Sequence, residues 1–183
     1  MRFSQIIPLA ALIFSSFTFA HNFKAGVPVA NVTVSKPGEL VINGDGIAYQ
    51  PWSSTSLTGK VRVIQAIAGR SSAKKMNAPM IDAIKAANLP ADKYQTTTII
   101  NQDDAIWGTG GFVKSSAEDS KREFSWSSIV LDAEGKVAKA WQLQEKGSAI
   151  IIVDKDGNVN FAKDGVLTPG EIKQAMDIIN GLL

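Results

Sequence analysis

Residues 61–100 constrain the fold more than any other stretch of the chain. The run VRVIQAI, Val61 to Ile67, is apolar enough and of the right length for a strand buried on both faces. It ends in small residues and passes into a helical pattern. There Ala73, Met76, Met80, Ile84 and Ala87 step by three or four along one face. After Asn88-Leu89-Pro90, the β-branched run YQTTTII reads as a second strand. Strand, helix and strand of these lengths fit a right-handed parallel crossover, so an α/β sheet is expected. The helix is expected over 72–88, capped by Ser71 or Ser72. Pro79 lies too deep to be a first-turn proline and is expected to kink it.

The flanking segments extend this unit. Residues 21–60 alternate apolar runs (VPVANVTV, KPGELVING, DGIAY) with Pro-Gly, Asn-Gly and Asp-Gly signals, and read as short strands joined by turns. The segment PWSSTSLTGK reads as a loop, and so does the glycine-rich NQDDAIWGTGGF. Ser115-Ser116-Ala117-Glu118 has a capping-box pattern for a short polar helix. SIVLDAEGKVAKAW and AIIIVDKDGNVNFA read as two hairpins with acidic-glycine turns. Thr168-Pro169-Gly170-Glu171 opens a last helix over 168–182, whose inner stripe is Ile172, Ala175, Ile179 and Leu182. The central sheet is expected to contain 61–67, 96–100 and 149–154, with the helices 72–88 and 168–182 packed on it.

The first twenty residues stand apart from this pattern. Arg2 precedes an apolar stretch from Ile6 to Phe19, and Thr18-Phe19-Ala20 places small residues where a signal peptidase reads them. Residues 1–20 are therefore expected to be a cleaved signal peptide, leaving 21–183 as one periplasmic domain. The apolar run is short for a bilayer span, and no second one follows, so no membrane span is expected in the mature form. A net charge of +2 gives no electrostatic footprint for nucleic acid. Export permits disulfides, yet the chain has no cysteine, which excludes both disulfide staples and thiol chemistry.

The order of elements resembles the thioredoxin fold in its secreted thiol-reductase and peroxiredoxin-like branch. Thioredoxins carry Cys-Gly-Pro-Cys, then Lys-Met, then Ala-Pro, then a helix bearing Asp and Ile. Ser71-Ser72-Ala73-Lys74 stands in the place of the four-residue motif, and Lys75, Met76, Ala78, Pro79, Asp82 and Ile84 keep step with the pattern. By this resemblance Ser71 occupies the position of the attacking cysteine and Lys74 that of the resolving one. Gly147-Ser148-Ala149 replaces the family's cis-proline turn, with Ser148 at the proline. A cis bond without proline costs about 3 kcal/mol, so Ser148 is expected to be trans. Within that superfamily the whole chain is similar to the YtfJ family of exported bacterial proteins. The similarity runs through His21-Asn22-Phe23, GKVRV, AGRSSAK, YQTTTIIN, DDAI, WQL, VDKDG and AKDG. The resemblance implies a thioredoxin-like α/β domain: a central mixed sheet flanked by helices, with an N-terminal β-hairpin extension.

The candidate ligand-binding residues are Arg70, Ser71, Ser72, Lys74, Trp107 and Ser148. A helix start attracts anions, so Ser71 with Arg70 or Lys74 can receive a carboxylate or phosphate; the alternative is that the serines only cap the helix. Trp107 follows the carboxyl end of a parallel strand, where ligands of open sheets bind, and can wall a groove floored by Arg70 and Ser71. Alternatively Trp107 packs on the core. Asp154-Lys155-Asp156-Gly157-Asn158 is expected to be a hairpin turn rather than a calcium loop, because Gly165 stands where a bidentate glutamate is needed.

Two functions compete. One is a redox-inactive binding module whose partner is a periplasmic protein, a peptide or a small anion, with no cofactor and no enzymatic activity. The other is an enzyme using non-thiol chemistry at Ser71 and Lys74, which needs Lys74 to lose its proton through burial. His21, the chain's single histidine, directly follows the expected cleavage point. Its amine and imidazole would then form a weak Cu(II) chelate, and the alternative is a disordered terminus.

Overall fold

A computed structural model describes residues 21–183; the expected signal segment, 1–20, lies outside the described residues. The chain opens with a long hairpin, strands β1 (Thr33–Asn43) and β2 (Gly46–Ser53), joined through Gly44-Asp45. Pro37-Gly38 is not the turn that the sequence suggests. It is a bulge inside β1, where the register with β2 shifts between Val34 and Glu39. Gly38 has a φ of +96° there, and a Cβ on it would sit 2.1 Å from the Gln50 carbonyl oxygen, so the bulge requires glycine. The run 27–34 likewise pairs as a strand only from Thr33 onward, with an isolated bridge at Pro28 to Asn158.

A short 3₁₀ turn (Ser54–Leu57) leads into β3 (Val61–Ala68), which is followed by helices α1 (Ser71–Met76) and α2 (Ala78–Ala87) and strand β4 (Tyr94–Asn101). The strand–helix–strand crossover is parallel, as expected. The helix, however, is broken rather than kinked. Asn77 ends α1 and caps α2, so Pro79 falls in the first turn of a new helix, where its missing N–H costs nothing. Neither serine caps: Arg70 is the N-cap of α1, with no side-chain bond, and Ser71 is the first helical residue.

Helix α3 (Gly110–Glu123) starts five residues before the expected capping box. Ser115 to Glu118 lie inside it, and Gly110, Gly111 and Phe112 belong to the helix rather than to a loop. Then come β5 (Ser128–Asp132), α4 (Lys136–Trp141), β6 (Ser148–Val153), β7 (Val159–Asp164) and α5 (Pro169–Leu182). The segment 128–141 is thus strand and helix, not a hairpin. Asp132, fully buried, accepts from the backbone N–H of Val137 at 2.8 Å and of Glu134 at 3.3 Å. That carboxylate satisfies N–H groups at the start of α4, and Val137 and Trp141, four apart, bury one face of it. The second predicted hairpin is present as β6 and β7, closed by Asp154, whose carboxylate accepts from Asp156 and Asn158.

The seven strands form one mixed sheet in the order β2-β1-β5-β4-β3-β6-β7, with β3, β4 and β5 parallel. One face packs α4 and the N-terminal segment, with Val29, Trp52, Val137 and Trp141 against Ile64, Ile99, Val130 and Ile151. The other face carries two separate clusters. Met80, Ile84, Ala175 and Ile179 of α2 and α5 cover Val61, Val63, Ile150 and Ile152. Ala117 of α3 covers Leu40, Ile129 and Leu131.

The capping box of α5 is complete: Thr168 Oγ1 accepts from Glu171 N, and Glu171 Oε2 accepts from Thr168 N at 2.8 Å. The Thr168 backbone N–H, then the Lys163 ammonium at 2.9 Å, hold the Glu171 carboxyl down at about 2. A folded-state pKa below the unfolded value gives stability that is present above about pH 4.5. It is lost as the pH falls toward 2. Partial exposure reduces its size. Glu171→Gln is expected to cost about 1 kcal/mol at pH 7 and almost nothing at pH 2, read from urea midpoints at the two pH values.

Candidate functional site

Between the two clusters on the helical face, α2 and α3 stand apart and leave the middle of the sheet uncovered. The result is a cleft of about 1030 Å³ running along β4. Its floor is the outward row of β3 and β4, where Gln65 and Thr98 are register partners beside Thr96 and Ile100. Its walls are Ile81, Ile84 and Leu89 on one side and Phe112, Val113 and Ala117 on the other. Phe112 and Ile106 are exposed at one end and Trp126 at the other. Thr96, Thr98 and Ile100 are half-buried, whereas the opposite-facing Thr97 and Ile99 are sealed.

Polar groups in the cleft are few. Gln65 is buried, and its side-chain amide has no hydrogen-bond partner in the protein. Thr96 shares a 3.0 Å hydrogen bond with the Tyr94 hydroxyl. Burial pushes the Tyr94 phenol up to about 12, so it stays protonated at neutral pH. Lys85 lies at the end opposite Ser71, its ammonium 4.8 Å from the Phe124 ring centroid.

The sequence-derived candidates divide around this cleft. Arg70, Ser71 and Lys74 lie along its end at the carboxyl edge of β3. Ser72 is exposed and outside the lining, and so is Trp107, which is 98% exposed and packs neither on the core nor over Arg70. Ile106 and Phe112, its neighbours in sequence, line the cleft instead. Ser71 and Lys74 are both exposed, and no hydrogen bond joins them. Gly69 holds this end tight: its N–H donates to the Asn101 carbonyl at 2.7 Å, and a Cβ would meet that oxygen at 2.9 Å.

Arg70 is committed elsewhere. Its Nε and Nη2 donate to the Asp104 carbonyl at 3.0 and 2.8 Å, and Nη2 also donates to the Asp104 carboxylate at 2.7 Å. The other oxygen of that carboxylate accepts from the Lys146 N–H. One acidic side chain thereby ties the start of α1 to the 101–107 loop and the 142–147 loop. Its role has no sequence signal beyond an acidic pair, Asp103-Asp104, after a strand.

Ser148 sits at the start of β6, buried and trans; Lys36–Pro37 is the cis bond among the described residues. Its hydroxyl and carbonyl accept from Asn77 Nδ2, and its carbonyl also accepts from Gly165 N. The Gly147 carbonyl accepts from Ala68 N at 3.0 Å. The 147–149 turn therefore spends its carbonyls inside the fold. The space beside it is about 20 Å³, no more than a water needs.

His21 lies apart from the cleft. Its ring packs 4.9 Å from Phe23, which packs edge-on against Trp141, so the segment is docked rather than loose. The Asn22 N–H, which a copper chelate would recruit, donates to the Trp141 carbonyl. Among the described residues no cluster of three or more His, Cys, Asp or Glu side chains is placed to hold a metal. None of the described helices is long and apolar enough to cross a membrane.

Solved structures share this architecture. The thioredoxin domain of a thiol-disulfide oxidoreductase from Bacteroides vulgatus aligns with a TM-score of 0.56 at 13% identity, over 87% of this chain and 100% of that one. A thiol-disulfide isomerase from Corynebacterium glutamicum aligns with a TM-score of 0.51 at 16% identity, over 88% and 97%. The fold is thioredoxin-like, with an N-terminal strand pair added to its mixed sheet. In sequence, the chain is 49% identical to the uncharacterized protein YtfJ of Escherichia coli K12 over 100% of both chains. It is also 49% identical to an uncharacterized protein of Haemophilus influenzae over 97% of both. Residues 23–182 match the family described as "Bacterial protein of unknown function (YtfJ_HI0045)". With that match and those full-length identities, the chain belongs to the YtfJ family.

Proposed function

We propose that the protein is a redox-inactive, periplasmic ligand-binding module that uses the α2–α3 cleft. The observation that carries this reading is the uncovered centre of the sheet. A thioredoxin-like fold normally buries that surface, yet here about 1030 Å³ is left open, with an unpartnered amide in its floor. Ligand pockets of about 300–1,000 Å³ with apolar walls and a few convergent polar groups are the usual form of a small-molecule site. The partner is thereby narrowed from a protein or small anion at the redox-motif position to a molecule that fills the cleft. The periplasmic placement rests on the expected signal segment, Met1 to Ala20.

The non-thiol enzyme has less support. Lys74 is exposed and makes no hydrogen bond to Ser71, so the serine hydroxyl has no base paired with it. Thiol chemistry needs a sulfur nucleophile, and the chain has no cysteine. Insulin reduction and peroxide consumption are expected at blank level. Ser71→Cys/Lys74→Cys is expected to gain weak activity at most, because Ser148 does not restore a cis-proline.

The cleft itself is tested with anilinonaphthalene sulfonate, a dye that fluoresces in apolar sites. One dye per chain is expected to bind the native protein. Ser116→Trp, an exposed cleft residue enlarged to fill the space, is expected to reduce dye affinity at least about tenfold with the far-ultraviolet circular dichroism unchanged. Dye binding that is absent, or indifferent to Ser116→Trp, overturns the reading.

A further inference from the structure

The chemistry of the cleft narrows its ligand, an inference that rests on the proposed use of that cleft. We propose that it binds a long-chain acyl amphiphile with an anionic head, the chain lying along β4 and the head beside Lys74.

Length comes first. The cleft runs beside β4 from Tyr94 to Ile100, six strand steps of about 3.3 Å, or about 20 Å. An extended chain of about that length lies along the cleft from end to end.

Polarity comes second. An extended peptide buried over a sheet face needs backbone partners. Here β3 lies between β4 and β6, and β4 lies between β3 and β5, so their N–H and C=O groups are engaged within the sheet. A peptide in this position would bury orphaned amides at a cost of about 1–3 kcal/mol each in protein terms. An acyl chain has no such groups. It gains by covering the apolar walls, Ile81, Ile84, Phe112 and Val113.

The floor supplies the third argument. Gln65 is 6% exposed, and its amide has no partner in the protein. Beside it, the Thr98 hydroxyl is half-buried and also unbonded. These polar groups open onto the cleft, and a ligand that displaces water from them is favoured if it brings an acceptor of its own. An ester or amide carbonyl set in from the charged head of an acyl amphiphile offers that acceptor. A helix laid in the cleft does not offer it through its backbone, whose groups are bonded internally.

Charge orients the molecule. At the Ser71 end, Arg70 is neutralised by Asp104, whereas Lys74 has no acidic partner. At the other end the Lys85 ammonium is stacked over the Phe124 ring, and the Glu123 carboxylate lines the same cleft without pairing with it. With a carboxylate lining the Lys85 end and Asp104 already bound to Arg70 at the other, an anionic head is favoured beside Lys74.

The probe is palmitate, held below its micelle concentration and titrated into the full-length mature protein by displacement of anilinonaphthalene sulfonate, with palmityl alcohol as its uncharged counterpart. Stoichiometric displacement by palmitate is expected. Lys74→Glu is expected to weaken palmitate about tenfold and to leave the alcohol unchanged. Circular dichroism and urea midpoints separate these effects from misfolding. If the dye binds the cleft and palmitate fails to displace it, the acyl inference falls while the binding reading stands. Equal losses for acid and alcohol in Lys74→Glu overturn the orientation. An amphipathic helical peptide that displaces the dye where palmitate does not also overturns the acyl ligand. Absence of dye binding removes both readings.

Discussion

Asn77→Ala is expected to be among the most destabilising single substitutions outside the apolar core, at about 3–4 kcal/mol, read from the urea midpoint at constant slope. Asn77 is 1% exposed and sits between α1 and α2. Its Nδ2 donates to the Ser148 hydroxyl at 3.0 Å and to the Gly165 carbonyl at 3.0 Å, and its Oδ1 accepts from Leu167 N at 3.1 Å. One amide joins the helix break, the start of β6 and the entry to α5. Alanine removes all of these bonds and leaves a buried N–H and two oxygens short of partners, in a space that water reaches poorly. Asn77→Asp keeps the shape but loses the donors and is expected to cost nearly as much. An Asn77→Ala loss below about 1 kcal/mol contradicts this network.

Asp104→Ala is expected to lower stability by about 2–3 kcal/mol and to loosen two loops at once. The Arg70 and Asp104 side chains are only 17% and 14% exposed, so removing the carboxylate strands a half-buried guanidinium. It also frees the Lys146 N–H, which the same carboxylate holds. Faster amide hydrogen exchange is expected at both 70–71 and 144–147, segments more than seventy residues apart in sequence. Arg70→Ala keeps the carboxylate's hold on Lys146. It is expected to perturb the first segment and not the second. Identical exchange patterns in the two variants contradict the bridging role of Asp104.

The parts of this structure legible in the sequence are those where local and tertiary signals agree. The strands at Val61, Tyr94 and Ser148 are apolar or β-branched because they run through the middle of the sheet, and α5 carries a full capping box. The misread parts depend on partners distant in sequence. Asp132 starts α4 from outside the helix, so 128–141 looks like a hairpin until the buried carboxylate is seen beneath the turn. Gly110 and Gly111 read as loop on propensity, yet the α3 stripe of Val113 and Ala117 on β5 overrides them. The redox-motif positions Ser71, Lys74 and Ser148 were legible from the family pattern. The cleft was not, because an empty space between two helices leaves no residue signature. Gln65 was the available clue, as the single amide in an otherwise apolar strand apart from Arg62.

The central claim is that a ligand lies in the space between α2 and α3, with the redox-motif helix at one end of it, rather than against Trp107 and the 147–149 turn. Amide and side-chain chemical-shift mapping of nitrogen-15-labelled protein titrated with anilinonaphthalene sulfonate tests it most directly. The largest shifts are predicted at Gln65, including its side-chain NH₂, at Thr96 and Thr98, and at Val113 and Ser116, with all of them suppressed in Ser116→Trp. Shifts confined to Ser72, Trp107 and the 147–149 turn, with Gln65 and Val113 unmoved, would contradict the account.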